Sequence, residues 1–138
     1  MSELLLHRTE LLAANGEKIH LVYEEGEDTL DIFFGENEPA TGVELTDYIL
    51  LRVNQQTGRA ISLTVLHFSI VAEKTEYGPR SFPLEKLNTL PEDLRELVVR
   101  IITTAPVNQF LKLSHFQASP TQSVPMTYVE PHHFASAA

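Results

Sequence analysis

IHLVYEEGEDTLDIFF, residues 19–34, decides the fold. Ile19, Leu21 and Tyr23 alternate with His20, Val22 and Glu24, and beyond an acidic turn Leu30, Ile32 and Phe34 alternate with Asp31 and Phe33. Period-two alternation bounded by turn residues is the mark of a strand with one buried face. Between the two runs, Gly26 offers a positive φ at little cost and Asp28 can bond its own backbone, so a hairpin loop is expected. The pattern continues downstream in Ile49, Leu51 and Val53, then in Ile61, Leu63 and Val65, with Asn54–Gly58 as the reversal between them. An antiparallel meander of four to five strands follows: Lys18–Glu24, Thr29–Phe34, Gly42–Leu45, Tyr48–Asn54 and Arg59–Phe68.

The opposite parity is not purely polar. Val22, Phe33, Leu50, Leu66 and Phe68 fall on it, whereas a sheet wet on one side alternates more cleanly. A helix, the chain's end or a second copy of the protein is expected to cover this face, which makes those five residues the candidate interaction surface.

Outside the sheet, Ser2–Ala14 carries Leu4, Leu5, Leu11 and Leu12 at helical spacing and predicts a short helix capped at Asn15-Gly16, although the same dipeptide also suits a hairpin turn. Thr89-Leu90-Pro91-Glu92 is spaced for a capping box, and Leu90, Leu94, Leu97, Val98, Ile101 and Ile102 form one apolar stripe that predicts a helix over Thr89–Ala105, ended by Pro106. Val107–Phe116 is open between a helical turn and a strand. After Ser119, the prolines among Ser, Thr and Gln predict an extended tail over 119–138, following a single domain over 1–118. The fold class expected is α+β.

At 138 residues with no cysteine, the chain can bury a core without disulfides and offers no thiolate metal site. No run approaches the ~20 apolar residues of a membrane helix, and Leu4–Leu6 is short for a signal peptide, so a cytoplasmic protein with no membrane partner is expected. Acidity is concentrated. Between Glu17 and Asp47 stand ten acidic residues against one base, Lys18, which accounts for the whole formal charge of −9. A field of that sign repels phosphate backbones and disfavours nucleic acid. It suits a basic protein or a cation, and Glu24, Glu25, Glu27 and Asp28 form the candidate acidic patch.

The run from Tyr23 to Ile32, a tyrosine-led acidic turn entering an apolar strand, and Leu63–Ser69, a closing strand with a terminal serine, resemble the small bacterial domain-of-unknown-function family 2283 over about Ile19–Ser69. Gly26, Asp31 and Ser62 depart from its usual acid, aromatic and glycine. The resemblance implies a compact β-meander and carries no activity.

The chemistry-bearing residues are sparse. Adjacent His132 and His133 point to opposite sides of an extended chain and do not share a metal. His20 and His67 have no second histidine at ligand spacing. There is no nucleophile elbow and no phosphate-cradling glycine cluster. Arg80, in Tyr77-Gly78-Pro79-Arg80-Ser81, is a candidate anion contact within what is otherwise an ordinary turn. The sequence therefore points to a non-enzymatic interaction or structural module that forms a homodimer, without a cofactor. Its rivals are an acidic neutraliser of a basic, toxin-like protein and a metal-assisted hydrolase using the hairpin carboxylates with His20 or His67.

Overall fold

The computed structural model describes residues 6–76 and 78–129. It is an α+β protein dominated by antiparallel sheet. Six strands form the main sheet: β1 (Leu6–Leu12), β2 (Lys18–Glu24), β3 (Thr29–Phe34), β4 (Thr41–Glu44), β5 (Ile49–Asn54) and β6 (Arg59–Val65). They lie in the order β1-β2-β3-β6-β5-β4. This is not one continuous meander: two three-stranded meanders meet at the β3–β6 pairing, with Ile32 opposite Leu63.

The N-terminal helix is corrected to a strand. Leu6–Leu12 pairs with β2, Leu11 opposite Ile19 and Thr9 opposite Leu21, and Asn15-Gly16 is the hairpin turn, with Gly16 at φ +87° and the Asn15 side chain accepting from the Glu17 N–H at 3.1 Å. A helix here would leave β2 with an unpaired edge, whereas the hairpin satisfies that whole row of backbone groups. Leu4 and Leu5 of the expected helix lie outside the described residues.

Chain parity also slips once within the sheet. Arg52 pairs with Ser62 but Val53 pairs with Ala60, so Ile61 is the extra residue of a β-bulge. Ala60, not Ile61, joins the core face.

After β6 comes one turn of helix, α1 (Phe68–Val71), then short strands β7 (Lys74–Thr75), β8 (Gly78–Pro79) and β9 (Phe82–Pro83). A 3-10 turn over Glu85–Thr89 leads into α2 (Glu92–Ile102). The capping box does not form: the Thr89 hydroxyl donates to the Lys86 carbonyl instead, and Pro91 is the N-cap. Val98, Ile101 and Ile102 on α2 join Ile19, Ile32, Phe34, Leu51 and Leu63 in one core cluster. Each such side chain contributes roughly 1.5–3 kcal/mol.

The tail expected over 119–138 is corrected over its described part, up to Val129, while 130–138 lie outside the described residues. β10 (Leu111–Ser119) and β11 (Gln122–Val129) form a hairpin, and β9 pairs on its far side to make a second, three-stranded sheet. Pro120 sits in the turn, where its fixed φ helps. Pro125 lies beyond the two residues that β9 reaches and still offers its carbonyl to the Leu84 N–H at 3.0 Å. Val129, Leu111 and Phe110 close the core. Among the described residues no helix is long and apolar enough to cross a membrane.

Candidate functional site

The strand register arranges the outer face of the main sheet into rows. One runs Arg8, Val22, Asp31, Thr64, Leu50, Glu44 from β1 across to β4. The next runs Glu10, His20, Phe33, Ser62, Arg52, Gly42. Val22, Phe33 and Leu50 are half-buried and stand outside the core cluster. Ser62, flanked by the longer Phe33 and Arg52, is buried. The Thr64 hydroxyl donates to Asp31 at 2.6 Å, and His20 lies 3.3 Å from Glu10. A shallow hollow of about 330 Å³ opens among Arg8, His20, Val22 and Phe33. Val98, Ile101 and Ile102 of α2 and Leu111 and Val129 of the second sheet join the core cluster, which gathers the opposite parity of the main sheet, whereas Val99, Leu113 and Phe116 stay exposed.

Two of the five expected face residues are placed differently. Leu66 lies one residue past β6 and is 41% exposed. Phe68 is in α1, where its ring meets Tyr23 edge-on at 5.6 Å and packs against the core. Alternation holds only while the ladder lasts, and His67, at φ +52°, turns the chain out of it.

The acidic hairpin does not present four parallel carboxylates. Asp28, rather than Gly26, takes the left-handed backbone, with φ +52°. Its carboxylate accepts from the Tyr23 hydroxyl at 2.7 Å, the Ser69 hydroxyl at 2.6 Å and the Ser69 N–H at 3.0 Å. Burial pushes the Asp28 carboxyl up, but the bonds from the Ser69 side chain, Tyr23 and the Ser69 backbone, with His67 nearby, outweigh it and hold the group below the usual carboxylate range. The same bond to Asp28, with burial and the negative charge around it, pushes Tyr23 up to about 12. Glu25 pairs with His7 at 3.0 Å, Glu24 is half-buried, and Glu27 is exposed.

Elsewhere, too, the carboxylates of Glu17–Asp47 are engaged. Arg59 bonds Glu38 and the Phe34 carbonyl and stands 3.5 Å from Glu17, tying β3 to β6 around Gly35. Lys86 bridges Glu44 at 3.0 Å and Asp47 at 2.9 Å, and these two contacts raise its pKa, Asp47 first. Composition showed the acids; only the fold shows Arg59 and Lys86 among them. His20 is on the outer face and His67 is at the end of β6, and among the described residues no three His, Asp or Glu side chains converge to hold a metal. His132 and His133 lie outside the described residues. Compared with known proteins, the chain matches no family model, no curated protein and no solved structure.

Proposed function

We propose that this protein is a non-enzymatic interaction module that pairs with a second copy of itself, sheet on sheet, through the outer face of β1–β6. The reading keeps the resemblance to family 2283, which likewise implies a β-meander without an assigned activity. The observation that carries it is the self-complementarity of the rows. A two-fold axis along the strands lays β1 over the partner's β4 and β3 over its β6. That sets Val22 over Leu50 and the large Phe33 over the small, buried Ser62. Apolar side chains meet apolar ones, and the bulky Phe33 ring faces the smallest side chain of its row apart from glycine. Aligned sheets pack about 10 Å apart in this manner.

Six strands ~4.8 Å apart and some five residues tall give ~500 Å² per copy, or ~1,000 Å² in total. That lies at the lower end of specific interfaces and fits a dimer in the micromolar range. Sedimentation equilibrium or light scattering over ~1–100 µM tests it. The expected mass is twice 15.5 kDa, falling to one subunit in Phe33→Glu. A monomer throughout that range overturns the proposal. The hydrolase reading is the less favoured one, since Asp28 is tied to Tyr23 and Ser69 and Glu25 to His7.

A further inference from the structure

A second feature is independent of the outer face. Three separate segments converge at the end of β6: Tyr48 from the β4–β5 turn, His67 and Ile70 from the start of α1, and Arg80 with Phe82 from the connection before α2. Together with Val71 they line a cleft of about 270 Å³. Tyr48 is its hub. Its ring centre lies 5.9 Å from His67, nearly perpendicular at 80°, and 5.3 Å from Phe82 at 58°. The position of Tyr48 is set by the Thr46 hydroxyl, which accepts its N–H at 3.0 Å. Apolar groups stay open to solvent around the cleft, Ile70 at 52% and Tyr48 at 37% exposed.

Arg80 supplies the polar group. Its Nε is buried yet has no hydrogen-bond partner among the described residues, an unusual state for a guanidinium N–H. Its Nη2 lies 3.4 Å from Glu73, a long contact between two solvent-accessible side chains that an incoming anion can replace at little cost. With Nε closed off, the Nη groups are what an incoming carboxylate or phosphate can meet. The aromatic walls suit a flat ring. A cavity of ~150 Å³ accepts benzene, so this cleft has room for one ring and its anionic substituent.

From this geometry we infer that the Tyr48–His67–Arg80–Phe82 cleft is a binding site for a small aromatic anion, an aryl carboxylate or aryl phosphate, with its ring lying against the wall that Tyr48 and Phe82 form together and its charge on Arg80. Benzoate and phenyl phosphate are the probes, titrated by NMR against the full chain, with benzyl alcohol and inorganic phosphate as controls. At least one aryl anion is expected to saturate near 1 mM, as ligands of about ten heavy atoms commonly do, and to move the Tyr48, His67, Arg80 and Phe82 signals. Both controls should bind about tenfold more weakly, because each lacks half of the recognition. Arg80→Gln, with its melting temperature unchanged, should weaken the aryl anion about tenfold. His67→Asn, which tolerates the left-handed backbone, should weaken it less. The outcome that separates the two sources is which probe saturates first. No saturation by either probe, equal binding of benzyl alcohol, or an unchanged affinity in Arg80→Gln overturns the inference.

Discussion

Replacing Asp28 tests how the acidic hairpin is held. Its carboxylate takes three donors, the Tyr23 hydroxyl and the Ser69 hydroxyl and N–H, across a separation of 41 residues in the case of Ser69. Bonds to a charged acceptor contribute about 1.5–3 kcal/mol each when buried, and for this half-exposed side chain about 1 kcal/mol each is the fitting value. The backbone adds a second effect. At φ +52° an alanine costs a further ~1 kcal/mol that Asp and Asn largely avoid. Asp28→Ala is therefore expected to lose ~4 kcal/mol, and Asp28→Gly, which relieves the backbone, ~2–3 kcal/mol. Asp28→Asn keeps one acceptor oxygen and the backbone preference and should lose the least, ~1–2 kcal/mol. Urea unfolding read at constant slope gives the three values. An Asp28→Ala loss below ~0.5 kcal/mol, or a glycine variant less stable than the alanine one, refutes the account.

The alkaline limb should report Tyr23. A raised tyrosine pKa means that its contribution is complete below the unfolded value of 10.0 and lost as pH climbs toward about 12, so the stability difference between wild type and Tyr23→Phe should shrink over that window in urea titrations. The Asp28 contribution has the opposite sense: it is present above ~3.9 and disappears as pH falls through the lowered folded value, and acid unfolding of Asp28→Asn should lack that component. Gly58→Ala and Gly35→Ala separate a flexible neighbour from an anchored one. Both have positive φ, but an added Cβ meets the mobile Arg100 end at 2.8 Å in the first case and, at the same distance, the Arg59 end held by Glu38 and Phe34 in the second. Thermal melts should show a loss of ~1 kcal/mol for Gly58→Ala and ~2–3 kcal/mol for Gly35→Ala. Finally, dimerisation should strengthen from ~20 to ~150 mM salt in sedimentation runs, since two subunits of −9 each repel at long range. A basic partner held by the same acids would show the opposite salt response.

What was legible in the chain was whatever repeats locally. Ile19, Leu21, Leu30, Ile32, Ile49, Leu51, Leu63 and Val65 are all buried on one face, because a strand's period forces every second side chain inward. The bulge at Ile61 was not legible. Ala60, Ile61, Ser62 and Leu63 are all buried, and apolar residues at both 60 and 61 leave the parity undecided until pairing with Val53 selects Ala60. The edge strand Leu6–Leu12 buries no side chain fully, only Leu6, Thr9 and Leu11 being half-buried, so it has little alternation to show and its paired leucines imitate helical spacing. In the β10–β11 hairpin, polar composition outweighed a fact that spacing cannot carry, that Thr127 is wholly buried and bonded to the Lys112 carbonyl.

The candidate sites divide along the same line. Val22, Phe33 and Leu50 were readable as an apolar second face because parity is a local property. The self-pairing proposed for them was not, because it depends on which strand lies beside which: β6 between β3 and β5 places Ser62 next to Phe33. The Tyr48 cleft gathers residues from 48 to 82 through the turn at His67, and no spacing rule links them. Charge behaves likewise. A count of carboxylates gives the sign of the far field, yet Asp28, Glu17, Glu38, Glu44 and Asp47 are each met at close range by a hydroxyl, a guanidinium or an ammonium. A carboxylate so engaged braces the fold, and a partner seeking it must first displace Arg59, Lys86 or Ser69. That competition is why the proposed association is assigned to the apolar outer face rather than to the acidic hairpin.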